Sequence, residues 1–236
     1  MIITLDNEYQ SELLILPARN HSGTLMGCEI IANFSVVNSS VRIPNELIVP
    51  NLTAEQELAL FQEKVSLLEN CKLFFIQHQL IAWINITPTI VTWLINEGNG
   101  DAICERYPWL EFTVNENYPG LNNGNMNTLL ASFALRFPLV LANFGAGDAS
   151  TKAIFDGLFK RVALDKNFIH HYLTEHTFDP FLRAIMMQIT PCCQSVMVGG
   201  VDDIVTLQRL SAYNFSAMQG NLWPAVSAGN ITSLVQ

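Results

Sequence analysis

Short apolar runs alternate with helix-like stretches along almost the whole chain, and this alternation restricts the fold more than any other feature. The runs are Leu13–Leu16, Met26–Phe34, Leu80–Ile86, Trp109–Val114, Leu139–Phe144, Val162–Leu164, Val196–Val201 and Phe215–Met218. Several are apolar throughout, as strands covered on both faces of a parallel sheet are. Eight such runs in 236 residues, spaced by helical patterns, predict an α/β barrel. The first connection departs from that plan. Only Pro17 to Leu25, with Asn20 and Gly23 inside it, separates the first two runs. A parallel crossover needs about a dozen residues or more. The first two strands should therefore pair antiparallel, giving a (β/α)8 barrel with one reversed strand.

The helices between the runs carry start signals. Thr53-Ala-Glu-Gln56 reads as a capping box, followed by Leu58, Phe61, Val65 and Leu68 on one face. Asp179 before Pro180 reads as an N-cap with proline at the first helical position, and Phe181, Ile185 and Ile189 continue that face. Asp202 or Asp203 is placed to cap a helix holding Val205, Leu207 and Leu210. The most linker-like stretch, Gly120 to Asn127, is short enough to be a loop. The chain is thus expected to form one domain over residues 1–236.

Half of the residues are hydrophobic and only 14% are charged, so a large core is available and disorder is excluded. The net charge of −9, with 12 Lys and Arg scattered along the chain, argues against direct nucleic-acid binding, which needs clustered cations. Leu73 to Ile86 is interrupted by Gln77, His78 and Gln79 and falls short of the ~20 apolar residues of a membrane span. Residues 1–10 include Asp6 and Glu8 and no basic segment, unlike a signal peptide. The five cysteines, with Cys192 and Cys193 adjacent and no CxxC, suit neither a disulfide frame nor a zinc site. They read as reduced thiols of a cytoplasmic protein, four of the five as buried filler.

Motifs taken singly say little. Phe144-Gly-Ala-Gly147 with Ser150 could seat a phosphate at a helix N-terminus, but reads better as a tight turn using glycines for positive φ. His170, His171 and His176 lack metal-ligand spacing and read as solvated, whereas His78, beside a strand, reads as a core histidine. No nucleophile elbow is present. Glu29, Glu116, Asp165 and Asp202 lie near strand ends, which form the functional face of a barrel.

Taken in order, these segments resemble the EAL domain, a bacterial cyclic-di-GMP phosphodiesterase family, from about Leu13 to Val226. Glu29-Ile-Ile matches its signature, and Ala82-Trp-Ile-Asn85-Ile the strand presenting its metal-binding asparagine. Phe112 to Glu116 lies on Glu-x-Thr-Glu, Ala142 to Gly147 on Asp-Asp-Phe-Gly-Thr-Gly, Ala163-Leu-Asp165 on Lys-x-Asp, Gly199 to Asp202 on Glu-Gly-Val-Glu, and Gln219-Gly220 with Pro224 on the family's tail. The family fold is a barrel with an antiparallel first strand, in agreement with the pattern above.

The departures bear on function. Active members hydrolyse the phosphodiester with two divalent metals held by several acidic ligands. Here Thr113, Ala142, Asn143 and Gly199 stand at acidic positions, Ala163 at the lysine, and Asn33 at the phosphate-binding arginine. Glu29, Asn85, Glu116, Asp165 and Gln219 remain, too few to compensate two divalent ions. The resemblance therefore implies no catalytic, cofactor-binding or metal role for these residues, which become vestigial pocket positions. Phrases such as Phe75-Ile-Gln-His78, Asn115 to Pro119 and Leu222-Trp-Pro-Ala225 look like the YdiV-type anti-FlhDC regulators of enteric bacteria. That resemblance implies a non-enzymatic repressor of motility, monomeric when free, that binds the FlhD subunit of FlhDC, with the ClpXP protease as a further partner of some members. A cyclic-di-GMP sensor without hydrolysis, and an active phosphodiesterase with unusual ligands, are the alternatives. No partner-binding residue can be named from sequence.

Overall fold

The computed structural model describes residues 1–4, 8–37, 42–43, 45–147 and 151–236. Asp6 and Ser150 lie outside the described residues. Among the described residues ten strands form one sheet: β1 (Ile2–Thr4), β2 (Glu8–Arg19), β3 (Leu25–Val36), β4 (Arg42–Ile43), β5 (Ile81–Asn85), β6 (Leu110–Asn115), β7 (Leu139–Phe144), β8 (Arg161–Leu164), β9 (Ser195–Val198) and β10 (Ala217–Met218). Strands β3 and β5 to β10 run parallel, each beside the next. β2 is antiparallel to both β3 and β10 and closes the ring through Arg19 opposite Met218. The eight barrel strands coincide with the eight apolar runs, and the reversed strand is the one the short connection required. In that connection the Asn20 side chain accepts from the amides of Ser22 and Thr24, and Gly23 has φ +81°.

The hairpin of β2 and β3 continues beyond the barrel. There β1 flanks β2 and β4 flanks β3, making a small antiparallel lobe over its own cluster of Ile3, Tyr9, Phe34, Ile48 and Leu60. These two edge strands of three and two residues are too short to leave a periodic signal in the sequence.

Helices α1 (Asn45–Ile48), α2 (Ala54–Asn70), α3 (Lys72–Gln77), α4 (Pro88–Ile95), α5 (Asn99–Arg106), α6 (Thr128–Arg136), α7 (Lys152–Phe155), α8 (Lys166–Tyr172), α9 (Phe178–Ile189) and α10 (Ile204–Leu210) connect the strands. Strand alternation divides the side chains. Ala82, Ile84, Phe112, Val114, Leu139, Leu141, Val162 and Val196 face the helices and make the main core. Trp83, Val140, Met197, Ala217 and Ala18 face inward and fill the barrel. Gly27 makes room for the Trp83 ring: a Cβ there would come within 2.6 Å of it. Beneath Trp83, buried Glu111 accepts from the Trp83 indole at 2.9 Å and pairs with Arg161 at 2.7 Å and Lys160 at 2.8 Å.

The capping box at Thr53 and Gln56 forms in both directions. The core face of α2 differs from the reading above: Leu60, Phe61, Lys64 and Leu68 are buried, while Leu58 and Val65 are partly covered. α9 begins at Phe178, before the Asp179-Pro180 pair, so Asp179 does not cap it; its carboxylate accepts from the Tyr213 hydroxyl at 2.6 Å. Asp203, rather than Asp202, caps α10 by accepting from the Thr206 amide at 2.7 Å. Gly120 to Asn127 is a loop that contains a 3-10 turn over Leu121–Met126. His78 is exposed at the end of α3, its ring against Phe74, in the short turn between buried Phe75 and buried Leu80. His170, His171 and His176 are exposed, as read from the sequence, and the Nε2 of His170 lies 3.2 Å from the Asp202 carboxylate. All five cysteines are free thiols, but only Cys28 and Cys71 are buried; Cys104, Cys192 and Cys193 are half-buried beside the core. No helix among the described residues is long and apolar enough to cross a membrane.

Candidate functional site

The inward alternation that fills the barrel continues to the C-terminal strand ends and delivers the mouth. Registers of Glu29 with Trp83, Asn85 with Thr113, and Asn115 with Ala142 set the positions of its side chains. A cavity of about 370 Å³ opens there, between the barrel mouth, the antiparallel lobe and α2. Glu29, Asn85, Asn115 and Asn143 line its barrel side, and Lys64 and Glu57 reach it from α2.

The five retained positions divide into two groups. Glu29 and Asn85 face the cavity, and the Gln219 amide donates to Glu29 at 3.4 Å. Burial raises the Glu29 carboxyl above its usual range; the charge of Lys64 and the Gln219 hydrogen bond oppose that shift. Asn85 is committed to Thr113, donating to its carbonyl at 3.2 Å. Glu116 and Asp165 are turned into the backbone. Glu116 accepts from the amides of Gly145 at 3.1 Å and Gly147 at 2.9 Å. Asp165 caps α8, accepting from Asn167 at 2.7 Å and Phe168 at 3.1 Å.

The glycine turn after β7 is therefore an anion cradle whose anion belongs to the chain. Gly145 has φ +99°, the conformation expected of a tight turn. Its inward amides meet Glu116 instead of a phosphate. Asn143, at φ +58°, donates from its side-chain amide to Asn115 Oδ1 at 3.1 Å, a neutral pairing at the mouth.

This donor set does not fit two divalent cations. Two of the three remaining carboxylates are spent on backbone amides, the neighbours are neutral amides, alanine and threonine, and the ammonium of Lys64 faces the third. Among the described residues no three His, Cys, Asp or Glu side chains gather as a metal site.

Lys64 is the residue that sequence reasoning missed. It is 9% exposed, and burial lowers its ammonium from the usual lysine range against the opposing attraction of Glu29. Its spacing could have signalled this, because Lys64 falls four residues from both Leu60 and Leu68 on the buried stripe of α2.

A parallel barrel closed by one reversed strand is the EAL-type fold, and here its mouth is poor in metal ligands. The chain belongs to the EAL domain family, whose profile matches residues 77–225. Over its full 236 residues it is 50% identical to the anti-FlhC(2)FlhD(4) factor YdiV of Salmonella arizonae and, equally, to that of Salmonella typhimurium, covering 100% of each. The crystal structure of the EAL-like domain protein YdiV superimposes with a TM-score of 0.88 at 46% identity, covering 99% of this chain and 100% of that one. These full-length relatives are named as regulators. A cyclic-di-GMP complex of the PaMucR phosphodiesterase shares the fold at 16% identity, TM-score 0.72, covering 94% of each chain.

Proposed function

We propose that the chain is a non-enzymatic regulator that binds the FlhD subunit of FlhDC, lowers occupancy of flagellar promoters and so represses motility. The observation that carries this reading is 50% identity, without loss of coverage at either end, to proteins named as anti-FlhC(2)FlhD(4) factors. The mouth supports it from the other side. Glu29, Asn85, Glu116, Asp165 and Gln219 are vestigial as metal and nucleotide positions in this reading: Asn85, Glu116 and Asp165 bond within the fold, and Glu29 meets only the Gln219 amide and the charge of Lys64. The function then resides on the outer surface of a cytoplasmic protein that is monomeric when free and touches neither membrane nor DNA. Delivery of the activator to ClpXP is a further step in the same role.

Purified chain and FlhD should co-elute in size-exclusion chromatography at no more than one copy per FlhD subunit, and FlhDC footprints on a flagellar promoter should fade as the chain is added. Failure to co-elute at tens of micromolar would remove FlhD as the partner. In calorimetry, cyclic-di-GMP with Mg²⁺ or Ca²⁺ should give no micromolar binding, and hydrolysis should match the buffer blank. Tight binding without turnover would favour a nucleotide sensor.

A further inference from the structure

The mouth cavity has features that the antagonist role does not use. Its volume of about 370 Å³ falls within the span of about 300–1,000 Å³ typical of small-molecule sites. Its lining includes the apolar side chains of Phe34, Leu52, Phe61 and Ile90. Against it stand two opposite charges, the Lys64 ammonium and the Glu29 carboxylate.

Lys64 is more than nine-tenths buried, and among the described residues no hydrogen bond or ion pair reaches it. Its ammonium is not among the fully enclosed polar atoms that lack a partner, so its three donors open on the cavity, where a ligand's acceptors can meet them. Glu29 attracts it through space, yet no direct ion pair joins them; the hydrogen bond Glu29 does have is the 3.4 Å contact from Gln219. The third charged group at the cavity, Glu57, is occupied by the Thr87 hydroxyl at 2.6 Å.

This charge pattern selects a ligand. A simple anion drawn to Lys64 meets the field of Glu29 and Glu57. A simple cation drawn to Glu29 meets Lys64. A cyclic dinucleotide brings two phosphates to a cavity faced by two carboxylates and one ammonium. A molecule carrying both charges offers each group its partner, and an apolar body on it meets the apolar part of the lining.

We propose that the cavity between the antiparallel lobe, α2 and the barrel mouth binds a small zwitterion with an apolar body, of the apolar α-amino acid class. Its carboxylate accepts from Lys64, its ammonium donates to Glu29, and its side chain lies against Phe34, Leu52 and Ile90. The site is independent of FlhD recognition, so the failure of either reading leaves the other standing.

Calorimetry on the full chain tests this with L-phenylalanine and L-leucine as probes. At least one should bind with a dissociation constant of about 1 mM or tighter. 3-Phenylpropionate, lacking the ammonium, and phenethylamine, lacking the carboxylate, should each bind at least about tenfold more weakly than phenylalanine. Lys64→Met and Glu29→Gln should each weaken amino-acid binding by at least the same factor, with melting curves that show both variants folded. A readout on the unaltered chain does not depend on those variants. Methyl NMR signals of Leu52 and Ile90 should shift on titration, while those of Leu135 and Met187, which do not line the cavity, stay in place. No binding of either amino acid up to about 20 mM would overturn the proposal, with water as the occupant. Binding undiminished in Lys64→Met, or 3-phenylpropionate binding as well as phenylalanine, would overturn it too.

Discussion

Glu111 shows how one side chain can outweigh its surroundings. Its carboxylate is 3% exposed, and burial alone would push the carboxyl upward. Hydrogen bonds from Arg161 and Lys160, together with their charges, overcome that and hold it below its reference value of 4.5. A carboxyl depressed in the folded state contributes stability that is fully present above the unfolded value and is lost as pH falls through the folded one. Unfolding free energy should therefore decline below about pH 4.5. In Glu111→Ala the acid limb should be shallower. At neutral pH the same substitution should cost about 3–5 kcal/mol in denaturant unfolding, because Arg161 is left without its partner inside the barrel. Glu111 was passed over in the sequence because Leu110 to Val114 reads as one apolar strand, and the inward period of two that brings Glu111 to Arg161 is set by sheet closure.

At the level of elements, turns and caps use the carboxylates that a barrel enzyme would give to metals. The loop after β7 is held by Glu116 through the amides of Gly145 and Gly147. Glu116→Ala should destabilise the protein by about 1–3 kcal/mol, since the amides of Gly145 and Gly147 lose a charged acceptor. Glu116→Gln keeps an acceptor oxygen and should cost less than half as much, as read by denaturant midpoints. The start of α2 gives a second case. Thr53→Ala removes the acceptor of the Gln56 amide and should cost about 0.5–2 kcal/mol, whereas Thr53→Ser should be close to neutral. Because α2 carries Lys64, loosening its first turn should also broaden the methyl signals of Leu60 at the cavity.

On the scale of the whole molecule, the barrel is closed by β2 against β10 and β3. Arg19 reinforces that closure, donating to the carbonyls of Gly23 at 2.8 Å and Leu234 at 2.6 Å. If the outer surface performs the antagonism, changes in the mouth should leave it intact. Overexpression should reduce swimming, and Glu29→Ala or Asn85→Ala should reduce it equally. Loss of repression in Glu29→Ala, with the circular dichroism of a folded protein, would place the mouth within the regulatory surface.

The sequence alone determined the barrel, its reversed strand and its family. Those features rest on local signals: continuous apolar runs, a connection too short for a crossover, a capping box, and an ordered series of short blocks from Glu29 to Pro224. It also determined that acidic positions are absent at Thr113, Ala142, Asn143 and Gly199, since the identity of a residue requires no coordinates. Only the tertiary structure decided what the surviving groups do. Glu116 and Asp165 became backbone acceptors, Asp179 missed its helix start, and Lys64 entered the cavity opposite Glu29. Such roles depend on which groups meet across elements distant in the chain, and on how burial and charge balance there. A linear pattern records neither.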